Sequence, residues 1–182
     1  MTNTNQLTPP QNMLSGMKIL VIGHKQHGKG TFAKIASETF NIPSMGTSRF
    51  GTEHMFNLLK DEYGYLTPEE CYNDRGSYRK LWFDELERYN ALNPSQLIED
   101  IYLKHALAEG LRNRYEYNGI KDKKLADLII WVDASKRLPL EDKSSMELNE
   151  NDAHITITNN DSENEFIEKV KSLLLAITSI KS

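Results

Sequence analysis

The chain is poor in cysteine, in long apolar runs and in net positive charge, and each shortage excludes something. Cys71 is the single cysteine, so there is no internal disulfide and no cysteine cluster for zinc, which suits a reducing compartment. The longest apolar runs, 128–132 and 173–177, fall far short of a bilayer span, and no charged-then-apolar leader opens the sequence. A soluble protein in the cytoplasm, without a membrane partner, is the expectation. Lys and Arg number 22 against 26 Asp and Glu, a formal charge of −4 with no basic run, which argues against a nucleic-acid backbone as partner. What is present is ordinary for a small α/β enzyme: 182 residues with 38% hydrophobic content, enough for one core and no second domain. There is no internal repeat.

The informative stretch is 18–31, Lys-Ile-Leu-Val-Ile-Gly-His-Lys-Gln-His-Gly-Lys-Gly-Thr. An apolar strand runs into a loop bearing Gly23 and Gly28-Lys29, and Phe32, Ala33, Ala36 and Phe40 then mark a helical stripe over 29–40. The pattern Gly-x-x-x-x-Gly-Lys lets successive backbone N–H groups point into one concavity at a helix N-terminus, where phosphates sit favourably. Lys29 supplies a flexible point charge for the outer phosphates, and Gly28 lets the main chain close on them. Gly30 stands where Ser or Thr is usual, so Thr31 is the nearest hydroxyl. Gln26 belongs to the same loop. His24 and His27 read chiefly as solvated loop residues, with phosphate or base contact as the alternative.

Residues 1–16, polar with Pro9-Pro10, read as a flexible extension, and the folded domain as 17–182. A brief second strand is expected within 41–45. A small-residue loop over 44–49, which includes Ser48, precedes a helix over 50–63 with Phe50, His54, Leu58, Met55 and Leu59 on its apolar side and Gly64 at its end. Thr67-Pro68-Glu69-Glu70 is a helix start with a capping box. Arg75, Arg79, Trp82, Leu86 and Tyr89 then share one helical stripe, either a wall of a site or solvated arginines over a core tryptophan. Asn93-Pro94-Ser95 opens a helix that buries Leu97, Ile98, Ile101 and Tyr102.

A third strand over 106–108 runs into Glu109-Gly110-Leu111-Arg112, where ligands bind in open parallel sheets; the bland reading is a polar turn. Residues 125–132 form a strand ending at Asp133. Glu109 and Asp133 therefore compete to serve a magnesium ion, and the residues alone do not choose. Lys136 and Arg137 stand at the root of a polar segment, 138–152, that reads as a mobile flap; they either swing onto a transferring phosphoryl group or are merely solvated. A last strand over 154–158, a turn at Asn159-Asn160 and a helix capped by Ser162 and Glu165 complete the chain. The order describes an α/β three-layer sandwich (α/β/α) with a mostly parallel sheet and a helical cap inserted over the substrate site.

The Gly-Lys-Gly-Thr run at 28–31 resembles the nucleoside monophosphate kinases. The chain is similar to their bacteriophage deoxynucleoside monophosphate kinase group through Glu69-Glu70-Cys71-Tyr72, Asp74-Arg75, Arg79-x-x-Trp82, Gly110-Leu111-Arg112-Asn113, Trp131-Val132-Asp133-Ala134-Ser135 with Arg137, and Ile157-Thr158-Asn159-Asn160. It departs from the adenylate kinases in a flap with few arginines and in Glu rather than Asp before Gly110.

The resemblance implies a P-loop kinase fold that moves the γ-phosphoryl group of Mg-ATP to a (deoxy)nucleoside monophosphate, in the host cytoplasm for a phage-encoded chain. ATP would lie on Gly23, His24, Gln26, His27, Gly28, Lys29, Gly30 and Thr31, with Asn159 near its base. Ser48, Arg75, Arg79, Trp82 and Arg112 would receive the substrate, Lys29, Arg112 and Arg137 would be catalytic, and Thr31 with Glu109 or Asp133 would hold Mg2+. Partners would be small-molecule nucleotides; a homodimer is left open. The alternatives are a P-loop kinase of another small molecule, such as dephospho-coenzyme A, and a non-catalytic nucleotide-binding regulatory module.

Overall fold

The computed structural model describes residues 16–180. The expected N-terminal extension lies, but for Gly16, outside the described residues. Strand β1, Ile19–Ile22, has no exposed residue, as a strand covered on both faces by helices requires. It pairs in parallel with β3, Leu107–Glu109, on one side and with β4, Leu128–Asp133, on the other. β2, Ser44–Gly46, adds beside β3, and β5, Ile155–Thr158, beside β4, so all four pairings are parallel and the order is β2-β3-β1-β4-β5. The connections leave β1 and β3 in opposite directions, which opens a crevice at the carboxyl ends of these strands.

Alternation along the strands divides the core in two. Ile19, Val21, Ile130, Val132 and Ile157 pack on the face covered by α1, Lys29–Phe40, and α8, Glu163–Ile180. Leu20, Ile22, Ile129 and Trp131 pack on the other, with the helices α6, Gln96–Tyr102, and α7, Arg114–Asp122. The protein is thus the three-layer α/β/α sandwich expected, its sheet wholly parallel. The final helix begins as read: Ser162 Oγ accepts from Glu165 N at 3.3 Å while Ser162 N donates to the Glu165 carboxylate at 2.9 Å.

Between β2 and β3 lies the inserted cap: α2, Thr47–Phe50; α3, Thr52–Tyr63; α4, Pro68–Asn73; α5, Arg79–Tyr89; and α6. The stretch read as a loop over 44–49 is instead strand and helical turn, and the helix expected over 50–63 breaks at Gly51. Its buried face is Met55 and Leu59, whereas Leu58 and His54 face solvent, because a one-residue step turns a helix by about 100°. Gly64, with φ 73°, ends α3 as expected. At α4 the Thr67 hydroxyl accepts from Glu70 N, but the Glu70 carboxylate reaches Leu66 N rather than the cap's own N–H.

Met55, Leu59, Cys71 and Trp82 make a small core private to the cap. Trp82 thus fills the core of the cap, one of the two places its helical stripe left open to it. Arg75, expected on the same helical stripe, sits before α5 in the short 3-10 turn Asp74–Gly76. Among the described residues no helix is long and apolar enough to cross a membrane.

Candidate functional site

The loop from β1 to α1 depends on backbone that only glycine adopts at ease. Gly23 has φ 145° and lies so close to β4 that a Cβ there would stand 2.5 Å from the Val132 carbonyl oxygen. Gly28 has φ 113°, and its Cβ would stand 2.5 Å from Asn159 Nδ2. Between them Gln26 takes a left-handed φ of 64° and faces solvent. The first turn of α1 carries no acidic residue, so the positive end of its dipole is left for an external anion. Gly30 is exposed, and the half-buried Thr31 hydroxyl makes no hydrogen bond to protein among the described residues.

Lys29 is buried, and its ammonium donates to the carbonyls of Gly23 at 2.8 Å and His24 at 2.7 Å. Burial first, then the nearby Arg112 charge, bring its pKa down to about 8, against the pull of Glu109 and Glu141. The two histidines correct the solvated reading. His27 is fully buried and accepts from Ala134 N through Nδ1 at 3.0 Å; His24, nearly as buried, accepts from Glu141 N through Nδ1 at 3.1 Å. Burial lowers the pKa of both rings, favouring the neutral form that can accept. They join the phosphate loop to the segment after β4. Asn159, expected near a base, spends its amide on the loop: Nδ2 donates to the His27 carbonyl at 2.9 Å.

The facing wall is cationic. Arg112 follows β3 by way of Gly110, whose φ is 103°, and it meets Arg79 of α5 on a single carboxylate that the sequence reading missed, Glu141. Glu141 accepts from Arg112 Nη1 at 2.5 Å, from Arg79 Nη2 at 2.7 Å and from the loop's Lys25 N–H at 2.5 Å. Burial opposes its charge, yet the hydrogen bonds from Arg112 and Arg79 prevail and hold its pKa at about 2. Arg75 donates to the Tyr72 carbonyl at 2.8 Å with its guanidinium 3.8 Å from the Tyr72 ring centre. Arg49, also missed, lies 4.6 Å from the same ring and is paired with Glu69 at 2.5 Å. Its signal in the sequence was its place just after the carboxyl end of β2. Ser48 is half-buried in α2, and its carbonyl accepts from Thr52 Oγ1 at 3.3 Å.

The two candidate acids have separated. Glu109 lies against Gly46, where a Cβ would meet its Oε1 at 2.5 Å, and its carboxyl is pushed up by burial while Lys29, Arg112 and Arg75 draw it down. Its carboxylate makes no hydrogen bond to protein among the described residues. Asp133 is committed to the turn after β4, accepting from Ser135 N at 3.0 Å and from Asn160 Nδ2 at 2.9 Å. Arg137 is exposed and donates through Nε to the Asn159 carbonyl at 2.5 Å; Lys136 N donates to Asn160 Oδ1 at 2.9 Å. The main chain of Lys136 and the guanidinium of Arg137 are thus fastened to the turn after β5.

The described residues hold no group of three or more His, Cys, Asp or Glu fit for a metal. A magnesium ion that takes most of its ligands from phosphate and water needs only one or two protein oxygens. The Thr31 hydroxyl and the Glu109 carboxylate make no hydrogen bond to protein among the described residues, whereas Asp133 already accepts two.

No family model matches the chain, and no curated protein matches it. Among solved structures it is similar to a shikimate kinase from Aquifex aeolicus vf5, with 17% identity, TM-score 0.49, and coverage of 88% of this chain and 96% of that one. It is similar also to the TT1252 protein from Thermus thermophilus, with 16% identity, TM-score 0.48 and coverage of 88% and 96%. A gluconokinase from Sinorhizobium meliloti 1021 shares 12% identity at TM-score 0.45, over 90% and 94% of the two chains. The chemistry of the cleft rests on its own geometry.

Proposed function

We propose that this protein is an ATP-dependent phosphotransferase whose acceptor itself bears a phosphate, with a (deoxy)nucleoside monophosphate as the substrate class. One observation carries the reading: the Lys25 N–H of the glycine-bounded loop, Arg112 and Arg79 converge on one carboxylate, Glu141, close enough to Lys29 for the charges of Arg112 and Glu141 to act on it. A neutral acceptor would offer these guanidiniums nothing in exchange for that carboxylate. A phosphate matches their planar forks.

The reaction is in-line displacement. An oxygen of the acceptor's phosphate forms a bond to the γ-phosphorus as the bond to the β-phosphate's bridging oxygen breaks, giving ADP and a nucleoside diphosphate. The loop N–H groups and Lys29 hold the donor phosphates and the moving group, while Arg112 holds the acceptor against its charge repulsion. Thr31 and Glu109 would hold Mg2+, which supplies charge neutralisation between donor phosphates. No covalent enzyme intermediate is needed.

The test is ADP release from Mg-ATP with each ribo- and deoxyribonucleoside monophosphate in turn, with product diphosphates identified directly and Lys29→Ala run in parallel. Diphosphate from one or a few acceptors, lost in the variant, is the expected result. Measurable ATP binding with no transfer to any member of the panel would overturn the reading.

A further inference from the structure

Residues 138–145 form an arm between two anchored ends, with 139, 140 and 142–144 exposed. On one side Arg137 is tied to the Asn159 carbonyl; on the other Met146 and Leu148 are buried in the core against α6 and α7. The expectation of a mobile flap over 138–152 therefore fails for its second half. Residues 150–152 are a short 3-10 turn closed by a capping box at Asn149, and Arg114 holds Asp152 in a two-pronged pair at 2.5 and 2.7 Å.

The arm sends one charged group inward. The Glu141 side chain is 11% exposed, whereas Leu140 is 63% exposed, and Pro139, Asp142, Lys143 and Ser144 are exposed as well. Three donors meet the Glu141 carboxylate, and all are of kinds that bind phosphate: a main-chain N–H of the glycine-bounded loop and two guanidiniums from the opposite wall. Among the described residues one further hydrogen bond of the same residue runs from Glu141 N to His24 Nδ1. A phosphate bound to the same donors would place two anions in contact, so the carboxylate and the phosphate exclude one another.

We propose that Glu141 is a tethered carboxylate that occupies the phosphate cleft as an internal competitor, closing the arm over the loop until phosphate displaces it. The inference rests on reading the loop as a polyphosphate cradle, and it adds a device that the transfer reaction does not require. Displacement is local, because leaving the cleft gives up only the bonds of one residue, while the anchors on either side hold the arm in place. In the closed state the competitor keeps the two guanidiniums satisfied and withdraws Lys25 N–H from water. A phosphate, with more charge and more acceptor oxygens, outcompetes one carboxylate on the same donors. Closure thus lowers the affinity for weak anions and leaves the cleft to ligands that present several phosphates.

Inorganic pyrophosphate is the probe, since it demands no turnover and no acceptor. Its affinity for the full chain is measured by calorimetry for the wild type, Glu141→Gln and Glu141→Ala, with amide exchange of the 138–145 segment followed in parallel. The proposal expects both variants to bind about tenfold or more tightly than the wild type, as removal of a competing population requires. It also expects pyrophosphate to raise exchange at the Glu141 amide in the wild type. Equal affinities in all three proteins, or tighter protection of the arm on binding, would overturn it. So would the absence of pyrophosphate binding in every form. A protein that binds in the expected order yet transfers phosphate to no nucleotide would keep the device and lose the proposed activity, so the two failures read differently.

Discussion

The two walls of the cleft are built by different means. The loop wall is main chain: Gly23 and Gly28 pressed against β4 and Asn159, a helix N-terminus without an acid, and one buried lysine. The opposite wall is side chain: Arg79, Arg112, Arg75 and Arg49 come from separate elements, each steadied by a carboxylate, a carbonyl or the Tyr72 ring. Backbone donors are placed by the fold and cost little further order when a ligand binds. Long guanidinium side chains must be held in position by partners, and those partners can be exchanged for substrate.

The contrast can be broken by substitution, and the largest effect belongs to the loop wall. Lys29→Ala should lose about 3–4 kcal/mol of transition-state stabilisation, roughly several hundredfold in turnover, read as ADP release. Gly23→Ala should cost about 3 kcal/mol of stability or more, since both the φ and the Val132 carbonyl reject a methyl group; a melting curve like that of the wild type would show that the loop tolerates what its geometry forbids.

Arg112→Ala tests the side-chain wall. It should lower kcat/KM for the acceptor about a hundredfold, more than for ATP, because the proposed contact is with the acceptor's phosphate. Equal losses for both substrates would mean that Arg112 serves the loop instead.

The smallest effect lies beneath that wall. Asn113 caps α7, and the first turn of that helix buries Glu116 against Asn90 Nδ2 at 2.7 Å. Burial raises the Glu116 pKa to about 7, although the Asn90 hydrogen bond works the other way. The folded state thus keeps a proton that the unfolded chain releases near the ordinary glutamate value. This group's contribution is fully present below about pH 4.3 and declines as pH rises through about 7. Glu116→Gln keeps the acceptor oxygen, so it should raise stability at pH 8 by about 2 kcal/mol and flatten the profile between pH 5 and 7. Denaturant melts at three pH values decide it.

Much of the fold was legible because local pattern carried it. The helix over 29–40 has the bounds expected, and the parallel strands fall where apolar runs meet turn residues, since a strand buried on both faces admits little but Val, Ile and Leu. The cap was less legible, because Leu58 and Leu59 differ only in which way a short helix faces, and packing decides that. The 146–152 segment looked like a flap because its two buried residues, Met146 and Leu148, stand among polar neighbours.

By itself the sequence determined the glycine-bounded loop between β1 and α1, the order of strands and helices, and the pair of acids that end β3 and β4. Each depends on residues within a few positions of one another. Only the tertiary structure gave Asp133 hydrogen-bond partners and left the Glu109 carboxylate without one among the described residues, turned Trp82 into core, set the two histidines as acceptors and brought Glu141 onto Lys25 N–H from 116 residues away. Contacts across that separation leave no periodic mark, because one buried hydrogen bond constrains a single residue and not its neighbours.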